Sequence, residues 1–215
     1  MTRAKFCVTA ALLAFGLLAP LPSSAALSQE SAGPPPAEAS QAAKDLVQAD
    51  GVRVKSGAKV LGEYWARKAA FTGDPVSGFG IRFKTIPEGA LIAIVRFSED
   101  WSDFREQRVP AGVYLLRYVL HPEDGNHMGV APSRDFGALT PIAADTDPAK
   151  NLEFKPLAEM SRKIGNPHPS VVRLQLSEGD EAPHLWEDEE AGLQILDLKI
   201  VDEVIGILVE GHSEE

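Results

Sequence analysis

Two apolar runs, residues 90–97 and 113–120, are each interrupted by a single charged side chain, Arg96 in the first and Arg117 in the second. Short apolar runs bounded by turn residues favour strands over helices. Because these runs are apolar on both faces of an extended chain, they are typical of strands in the middle of a packed sheet. A chain that contains two such strands must cover both faces of that sheet.

Further short runs of strand-forming residues follow, separated by Gly, Pro, Asp and Asn. Ile81 and Phe83 alternate with charged residues, and residues 171–176 alternate similarly, as expected for strands with one buried face. Two C-terminal runs, 193–200 and 204–210, are separated by a short turn, which predicts a hairpin. The pattern predicts a mainly β fold, an antiparallel β-sandwich or jelly roll of about seven to nine strands.

One segment has helical rather than strand periodicity. Leu157, Met160 and Ile164 recur at spacings of three and four residues, and Gly165 ends the pattern. This predicts one short helix at about residues 156–164, lying across an end or a face of the β domain.

The N-terminus has the three-part pattern of a secretory signal peptide. Arg3 and Lys5 precede an apolar run at residues 6–19, and small residues follow at positions 23–26. The run is shorter than the roughly 20 residues that span a bilayer. We therefore predict a signal peptide at residues 1–25, a secreted or periplasmic location, and no transmembrane helix after cleavage.

The region after the signal divides into two parts. Residues 26–50 are rich in Pro and Ala and include three consecutive prolines, a composition typical of an extended linker. We predict a flexible tether at residues 26–50 and a single β-sandwich domain at residues 51–212. Within the tether, residues 37–48 are equally compatible with one or two helical turns, because Ala, Glu, Gln and Lys favour helix.

Charge and cysteine content exclude several classes of function. Cys7 is the one cysteine of the chain, so the mature protein would have no disulfide and no thiolate metal site. Removing Arg3 and Lys5 leaves 19 basic residues against 31 acidic ones, a net charge of −12. Nucleic acids and anionic lipids are bound by clustered Lys and Arg, which are missing here. We expect no nucleic-acid partner.

The second apolar run is entered through Arg-Val-Pro-Ala-Gly-Val-Tyr-Leu-Leu, residues 108–116. Pro110 favours a turn, and a positive φ is expected at Gly112. This stretch resembles the Pro-Ala-Gly-x-Tyr strand of a family of exported bacterial proteins of unknown function, thought to be β-sandwich-like. Residues 55–62, followed by Trp65, resemble the opening of that family. The resemblance covers about residues 52–120; it implies an exported β domain and carries over no catalytic residue.

The loop after the second apolar run concentrates histidines and carboxylates. Histidine nitrogens together with a carboxylate oxygen are a common ligand set for zinc, iron or copper. This predicts a divalent metal site formed by His121, His127 and Asp135, with Glu123 or Asp124 as a catalytic base. The spacing matches no established metal motif, and the same stretch is rich in turn residues. A metal site and a plain polar loop therefore both remain open.

The predicted ligand-binding side chains come from two polar loops, 98–109 and 121–140. They are Trp101, His127, Arg134 and Asp135. Trp101 offers a flat face to a sugar or another flat ligand, or else caps the core. The two loops leave the same predicted strand at opposite ends, so a common site requires one of them to fold back along the sheet.

Two acidic segments suggest calcium only weakly. Asp145 and Asp147 lack the further ligands of a calcium-binding loop, which favours a solvated turn. Residues 187–190 are four consecutive carboxylates, which we interpret as a solvated turn that protects a sheet edge by its charge. Calcium binding there is an open alternative.

Three functional hypotheses follow. The first is a non-enzymatic, exported module that binds a protein, a glycan or a small-molecule ligand through its loops. The second is a metal-dependent enzyme that uses the loop between His121 and Asp135. The third is a structural component of the cell envelope that has no pocket.

Overall fold

A computed structural model describes residues 27–122 and 134–211 of the chain. Its strands are β1 (Leu27–Gly33), β2 (Gly51–Ser56), β3 (Lys59–Ala66), β4 (Leu91–Phe97), β5 (Trp101–Ser102), β6 (Arg108–Val109), β7 (Gly112–Leu120), β8 (Asp135–Pro141), β9 (Val171–Leu176), β10 (His184–Asp188), β11 (Leu193–Ile200) and β12 (Glu203–Glu210). Its helices are α1 (Gln41–Leu46) and α2 (Phe154–Ser161), and a 3₁₀ turn, Arg162–Ile164, follows α2.

Ten of the strands form one antiparallel sheet in the order β1-β2-β3-β4-β7-β8-β9-β12-β11-β10. The sheet curls until its two edge strands approach each other, and the Gln29 side-chain amide donates a hydrogen bond to the Pro183 carbonyl at 2.9 Å. The result is a nearly closed, barrel-like sheet, while β5 and β6 pair separately. The prediction of a mainly β fold is confirmed. The sandwich or jelly-roll arrangement and the predicted strand number are not.

The difference between the predicted sandwich and the observed barrel-like sheet has a simple physical origin. Alternation along a strand reports that one face is buried, but not which surface covers it. Here the covering surface is the opposite wall of the same sheet, because one large buried cluster combines side chains from β3, β4 and β7 with side chains from β11 and β12. Its members include Tyr64, Val95, Leu116, Leu198 and Ile207.

β4 and β7 are neighbours in the middle of this sheet, as their composition predicts. Val95 and Leu116 belong to the interior cluster, whereas Ile94 and Leu115 belong to a second cluster formed with the α1 region. Both faces of these strands are therefore covered, which explains why they contain almost no polar residues.

The segment before β2 is part of the folded domain, which differs from the flexible tether predicted for residues 26–50. β1 pairs with β2 along its length, and α1 is capped by Ser40, whose hydroxyl accepts a hydrogen bond from the Ala43 N–H at 3.2 Å. Ala43 and Val47 are buried in the same cluster as Trp65. The composition indicated an extended segment, but it did not contain information about the sheet surface on which that segment packs.

The predicted helix is confirmed as α2 together with its 3₁₀ turn, and Gly165 ends it with a φ of 114°. Leu157 is fully buried in a third cluster with Val119 and Phe136, so the helix covers β7 and β8. Within residues 27–122 and 134–211, no helix has the length and apolar content needed to cross a membrane.

The alternating stretch at Ile81 and Phe83 is not a strand. Both side chains are buried in the interior cluster, together with Ile86, so the alternation correctly indicated burial. The stretch belongs to the long connection between β3 and β4. It contributes these apolar side chains to the core without joining the sheet.

Arg117 on β7 is completely buried, and all five N–H groups of its guanidinium have acceptors. Nε and Nη2 donate to the two carboxylate oxygens of Asp145 at 2.6 and 2.7 Å. The other donors reach the carbonyls of Gly89, Lys150 and Asp147 at 2.7, 2.8 and 3.0 Å. One buried cation therefore holds two separate loops against the sheet.

Replacing Arg117 by Met is expected to lower the free energy of unfolding by about 3–5 kcal/mol, because Asp145 would be left buried without its cation. Denaturant unfolding followed by circular dichroism measures this loss. The control is Lys55→Ala, which removes a partly exposed ion pair with Glu30 and should leave the unfolding midpoint nearly unchanged. An Arg117→Met protein that unfolds at the wild-type denaturant concentration would contradict the proposed role.

Candidate functional site

A cleft of about 480 Å³ opens at one end of the barrel-like sheet. It lies between the start of β3, the loop that follows β4 and the end of β12. Its polar and aromatic lining consists mainly of Lys59, Glu99, Asp100, Trp101, Glu106 and Glu210. Small-molecule sites are concave surfaces in which aromatic and apolar side chains supply contact and polar groups fix orientation. This cleft combines one aromatic ring with an unusually polar lining.

Trp101 is held rigidly at the wall of this cleft. Its ring stacks on Phe97, with centroids 4.8 Å apart and planes 5° apart. Its Nε1 donates a hydrogen bond to the Val209 carbonyl at 2.9 Å. The sequence allowed either a ligand platform or a cap on the core. In the structure the indole packs on the core and also lines the cleft.

The loop that carries Trp101 is fixed by a buried carboxylate. Asp103 is completely buried, and its Oδ1 accepts hydrogen bonds from the backbone N–H groups of Arg105 and Gln107, both at 2.9 Å. Its Oδ2 accepts from the Gln107 side-chain amide at 2.8 Å and from the Val171 N–H on β9 at 3.1 Å. The loop is therefore tied to the sheet, and the cleft is formed before any ligand binds.

The Pro-Ala-Gly-x-Tyr stretch, residues 110–114, follows this loop and leads into β7. The Tyr114 hydroxyl donates to the Pro110 carbonyl at 2.6 Å, and the Ala111 N–H donates to Asp100 Oδ1 at 3.1 Å. Gly112 does not have the positive φ expected from the sequence. The turn is held by these two hydrogen bonds, so it does not require a left-handed residue at Gly112.

Negative charge dominates the cleft, which has four lining carboxylates against one lysine. Arg108 donates to Asp100 Oδ2 at 2.6 Å, and this hydrogen bond, with that from the Ala111 N–H, holds the pKa of Asp100 below its ordinary value. Lys59 and Glu99 are 3.8 Å apart, and both are largely exposed. The arrangement favours a ligand that carries positive charge.

Of the residues lining the cleft, the sequence pointed to Trp101 but not to Lys59, Glu106 or Glu210. Lys59 and Glu210 belong to strands that are far apart in the chain and meet only because the sheet curls. No local pattern in the sequence signals such a meeting.

The predicted ligand-binding residues do not form one site within the described residues. Trp101 lies just beyond the end of β4, near the beginning of β7, whereas Arg134 and Asp135 lie at the opposite end of β7. A strand of this length separates the two positions by roughly 25–30 Å. His127 lies outside the described residues, so the structure does not show where it is.

Asp135 has a structural role in the fold. Its carboxylate is fully buried and accepts hydrogen bonds from the Tyr118 hydroxyl at 2.6 Å and from the N–H groups of Arg82 and Phe83 at 2.9 and 3.1 Å. It thus supplies acceptors to a segment that does not join the sheet, and any metal ion would compete with these bonds. Burial, followed by the hydrogen bond to Asp135, raises the pKa of Tyr118.

His121 and Asp135 lie on different faces of the sheet. The His121 ring contacts the Phe136 ring edge-on, with ring centroids 4.2 Å apart. Phe136 belongs to the cluster under α2. Asp135 precedes Phe136 on β8 and therefore points to the other face, where it meets Tyr118 of the interior cluster. The Arg134 Nε–H donates a hydrogen bond to the His121 carbonyl at 2.9 Å and so links two residues on either side of segment 122–133.

The metal site predicted at His121, His127 and Asp135 stays a prediction. His127, Glu123 and Asp124 lie outside the described residues. Within residues 27–122 and 134–211, no three His, Cys, Asp or Glu side chains are grouped so that they could hold a metal ion.

Asp145 is not the solvated turn residue that the sequence favoured. It is buried and bound by Arg117, and its Oδ2 also accepts a hydrogen bond from Thr140 Oγ1 at 2.7 Å. The carboxylates at 187–190 lie at the end of β10, an edge strand, and in the turn that follows, in agreement with their interpretation as a charged edge.

Two Gly-x-Tyr pairs on the sheet should respond differently to an added methyl group. A Cβ at Gly62 would lie 2.7 Å from the Tyr64 hydroxyl oxygen, whereas a Cβ at Gly112 would lie 3.4 Å from the Tyr114 hydroxyl oxygen. Because Tyr64 is buried and cannot move aside, Gly62→Ala should lower the free energy of unfolding by about 1–3 kcal/mol. Gly112→Ala, the matched control, should change it by less than about 0.5 kcal/mol. Equal effects in chemical denaturation would contradict this difference.

Comparison of the chain with protein-family models, with curated proteins and with solved structures finds no match. The resemblance of residues 108–116 to a family of exported proteins therefore stays a prediction. What supports a functional proposal is the geometry and the charge of the cleft at Trp101.

Proposed function

We propose that this protein is an exported, non-enzymatic binding module whose cleft at Trp101 takes a small organic ligand with a cationic group. The observation that carries the proposal is the combination of a preformed cleft, a fixed indole ring and a lining with more carboxylates than lysines. Export is supported by the signal-peptide pattern at residues 1–25.

The ligand class follows from the electrostatics of the wall. Phe97 covers one face of the Trp101 ring, so a ligand would contact the remaining surface of the indole on the cleft side. Indole rings attract organic cations through their π electrons. Glu210, which also lines the cleft, would reinforce the attraction for positive charge.

Binding is favoured over catalysis by the nature of the lining. Among the described residues that line the cleft there is neither a histidine nor a cysteine, the side chains best suited to proton transfer or nucleophilic attack near neutral pH. Trp101 and Asp100 are both held by hydrogen bonds within the protein. Such a rigid wall suits recognition, because little conformational entropy is lost when a ligand binds.

The proposal is tested by titrating the purified protein with a panel of small amines and quaternary ammonium compounds, with neutral sugars as the comparison set. Binding is measured by calorimetry. We expect at least one cationic compound to bind, and Trp101→Ala to weaken its binding by about tenfold or more through loss of the aromatic contact. Glu210→Gln should weaken it by a few-fold, with the difference shrinking at high salt.

Trp186→Phe is the matched control, because it changes another partly buried tryptophan that does not line the cleft. It should leave the affinity unchanged. Each variant is first checked for a wild-type unfolding transition. Preferential binding of the neutral sugars would overturn the ligand class, and cationic ligands that bind equally well to Trp101→Ala would place their site elsewhere.

A further inference from the structure

A second set of polar groups lies in the wall of the barrel-like sheet opposite β3. This wall is formed by β9, β12, β11 and β10, which run side by side. Gln175, Gly206, Asp197 and His184 are direct register partners across these four strands. Side chains of register partners project from the same face of an antiparallel sheet. Gly206 has no side chain, so the row has a gap between Gln175 and Asp197.

Two acceptors in this row have no hydrogen-bond partner within the described residues. Asp197 is completely buried and Gln175 is 7% exposed, yet Asp197 Oδ1 and Gln175 Oε1 are both unpaired. Asp197 Oδ1 lies only 3.1 Å from the position that a Cβ on Gly206 would occupy, so it points into the gap. Buried unpaired acceptors cost roughly 1–3 kcal/mol each, which indicates that a donor or a cation normally fills this place.

The connection from β9 to β10 brings further oxygen atoms to the same place. Ser177 Oγ lies 2.7 Å from Asp197 Oδ2 and 2.7 Å from the Gly179 carbonyl oxygen. A hydroxyl group has one proton, so it can satisfy only one of these two short contacts at a time. A cation among these oxygens would compensate the other contact. We call the group Gln175, Ser177, Gly179, His184 and Asp197 the crossover site.

The charge balance of the crossover site calls for a positive partner. In the described part of the chain, the ion-pair contact of Asp197 is with His184 Nδ1, at 3.6 Å, and His184 is half exposed. Residues 177–190 contain seven Asp or Glu and no Lys or Arg. Arg173, on the same face of β9, packs over the Phe104 ring at 5.4 Å and makes no ion pair with Asp197. A buried carboxyl group in such surroundings attracts a cation.

We propose that the crossover site binds a divalent metal ion, and that its chemistry selects calcium. The available ligands are oxygen atoms: a carboxylate from Asp197, an amide carbonyl from Gln175, the hydroxyl of Ser177 and the backbone carbonyl of Gly179. Oxygen ligands of mixed type suit calcium better than zinc or copper, which prefer nitrogen and sulfur. With one carboxylate in the row, the dissociation constant should lie at about 10⁻⁴–10⁻³ M, the range of extracellular calcium modules. This site is separate from the cleft at Trp101.

The test is a calorimetric titration of the full, chelator-treated protein with calcium chloride, repeated with magnesium chloride and supported by thermal unfolding with and without each ion. We expect one calcium ion per chain, weaker magnesium binding and a calcium-dependent rise in the unfolding temperature. Asp197→Asn should weaken calcium binding by about tenfold or more, because it removes the charged ligand. Gln175→Glu should strengthen it by about tenfold, because it adds a charged ligand at the same position.

Glu190→Gln is the matched control, since it removes one negative charge from the same acidic segment without touching the crossover site. It should alter calcium affinity by no more than about twofold, the effect of a screened surface charge. If Asp197→Asn does not fold, the gain of affinity in Gln175→Glu carries the test by itself. Equal calcium responses in wild type, Gln175→Glu and Glu190→Gln would mean diffuse counterion binding and would overturn the proposal. Absence of binding up to about 10 mM calcium, well above the expected dissociation constant, would also overturn it.

Discussion

The buried guanidinium of Arg117 is the interaction on which the rest of the structure depends. It lies in the middle of the central strand β7 and is completely shielded from water. An arginine in that position is tolerable only because Asp145 and three backbone carbonyls accept all of its N–H groups. The same contacts define the paths of the connections around Gly89 and Asp147. Gly89 reinforces this arrangement, because a Cβ there would lie 1.8 Å from the Leu152 carbonyl oxygen.

Asp103 and Asp135 apply the same principle to the other loops. Each is a fully buried carboxylate that accepts backbone N–H groups from a segment outside the main sheet. Backbone groups taken out of water must find partners, and strands normally provide them. In this protein carboxylates do so at both ends of the barrel-like sheet. Asp103 thereby fixes the loop that carries Trp101, and Asp135 anchors the residues that fill the opposite end.

Asp197 stands apart from these three acids. Asp103, Asp135 and Asp145 have both carboxylate oxygens engaged by donors of the protein, whereas Asp197 has one oxygen unpaired in a site shared with Gln175. Three of these carboxylates therefore organise loops, whereas Asp197 keeps one oxygen without a hydrogen-bond partner among the described residues. Burial by itself does not make this distinction, because all four residues are almost completely inaccessible to solvent.

The sequence by itself determined the β class, the central position of β4 and β7 and the helix α2, because these depend on local periodicity and on turn chemistry. It misjudged the segment 27–50, the stretch at Ile81 and the role of Asp145, because each is decided by a partner that is distant in the chain. Tertiary structure alone decided that one sheet curls on itself and that Lys59 and Glu210 line the same cleft. It also decided that Gln175 and Asp197 lie on either side of Gly206 on one face of the sheet. Strand register and closure of the sheet bring such residues together, and neither can be inferred from the spacing of residues along the chain.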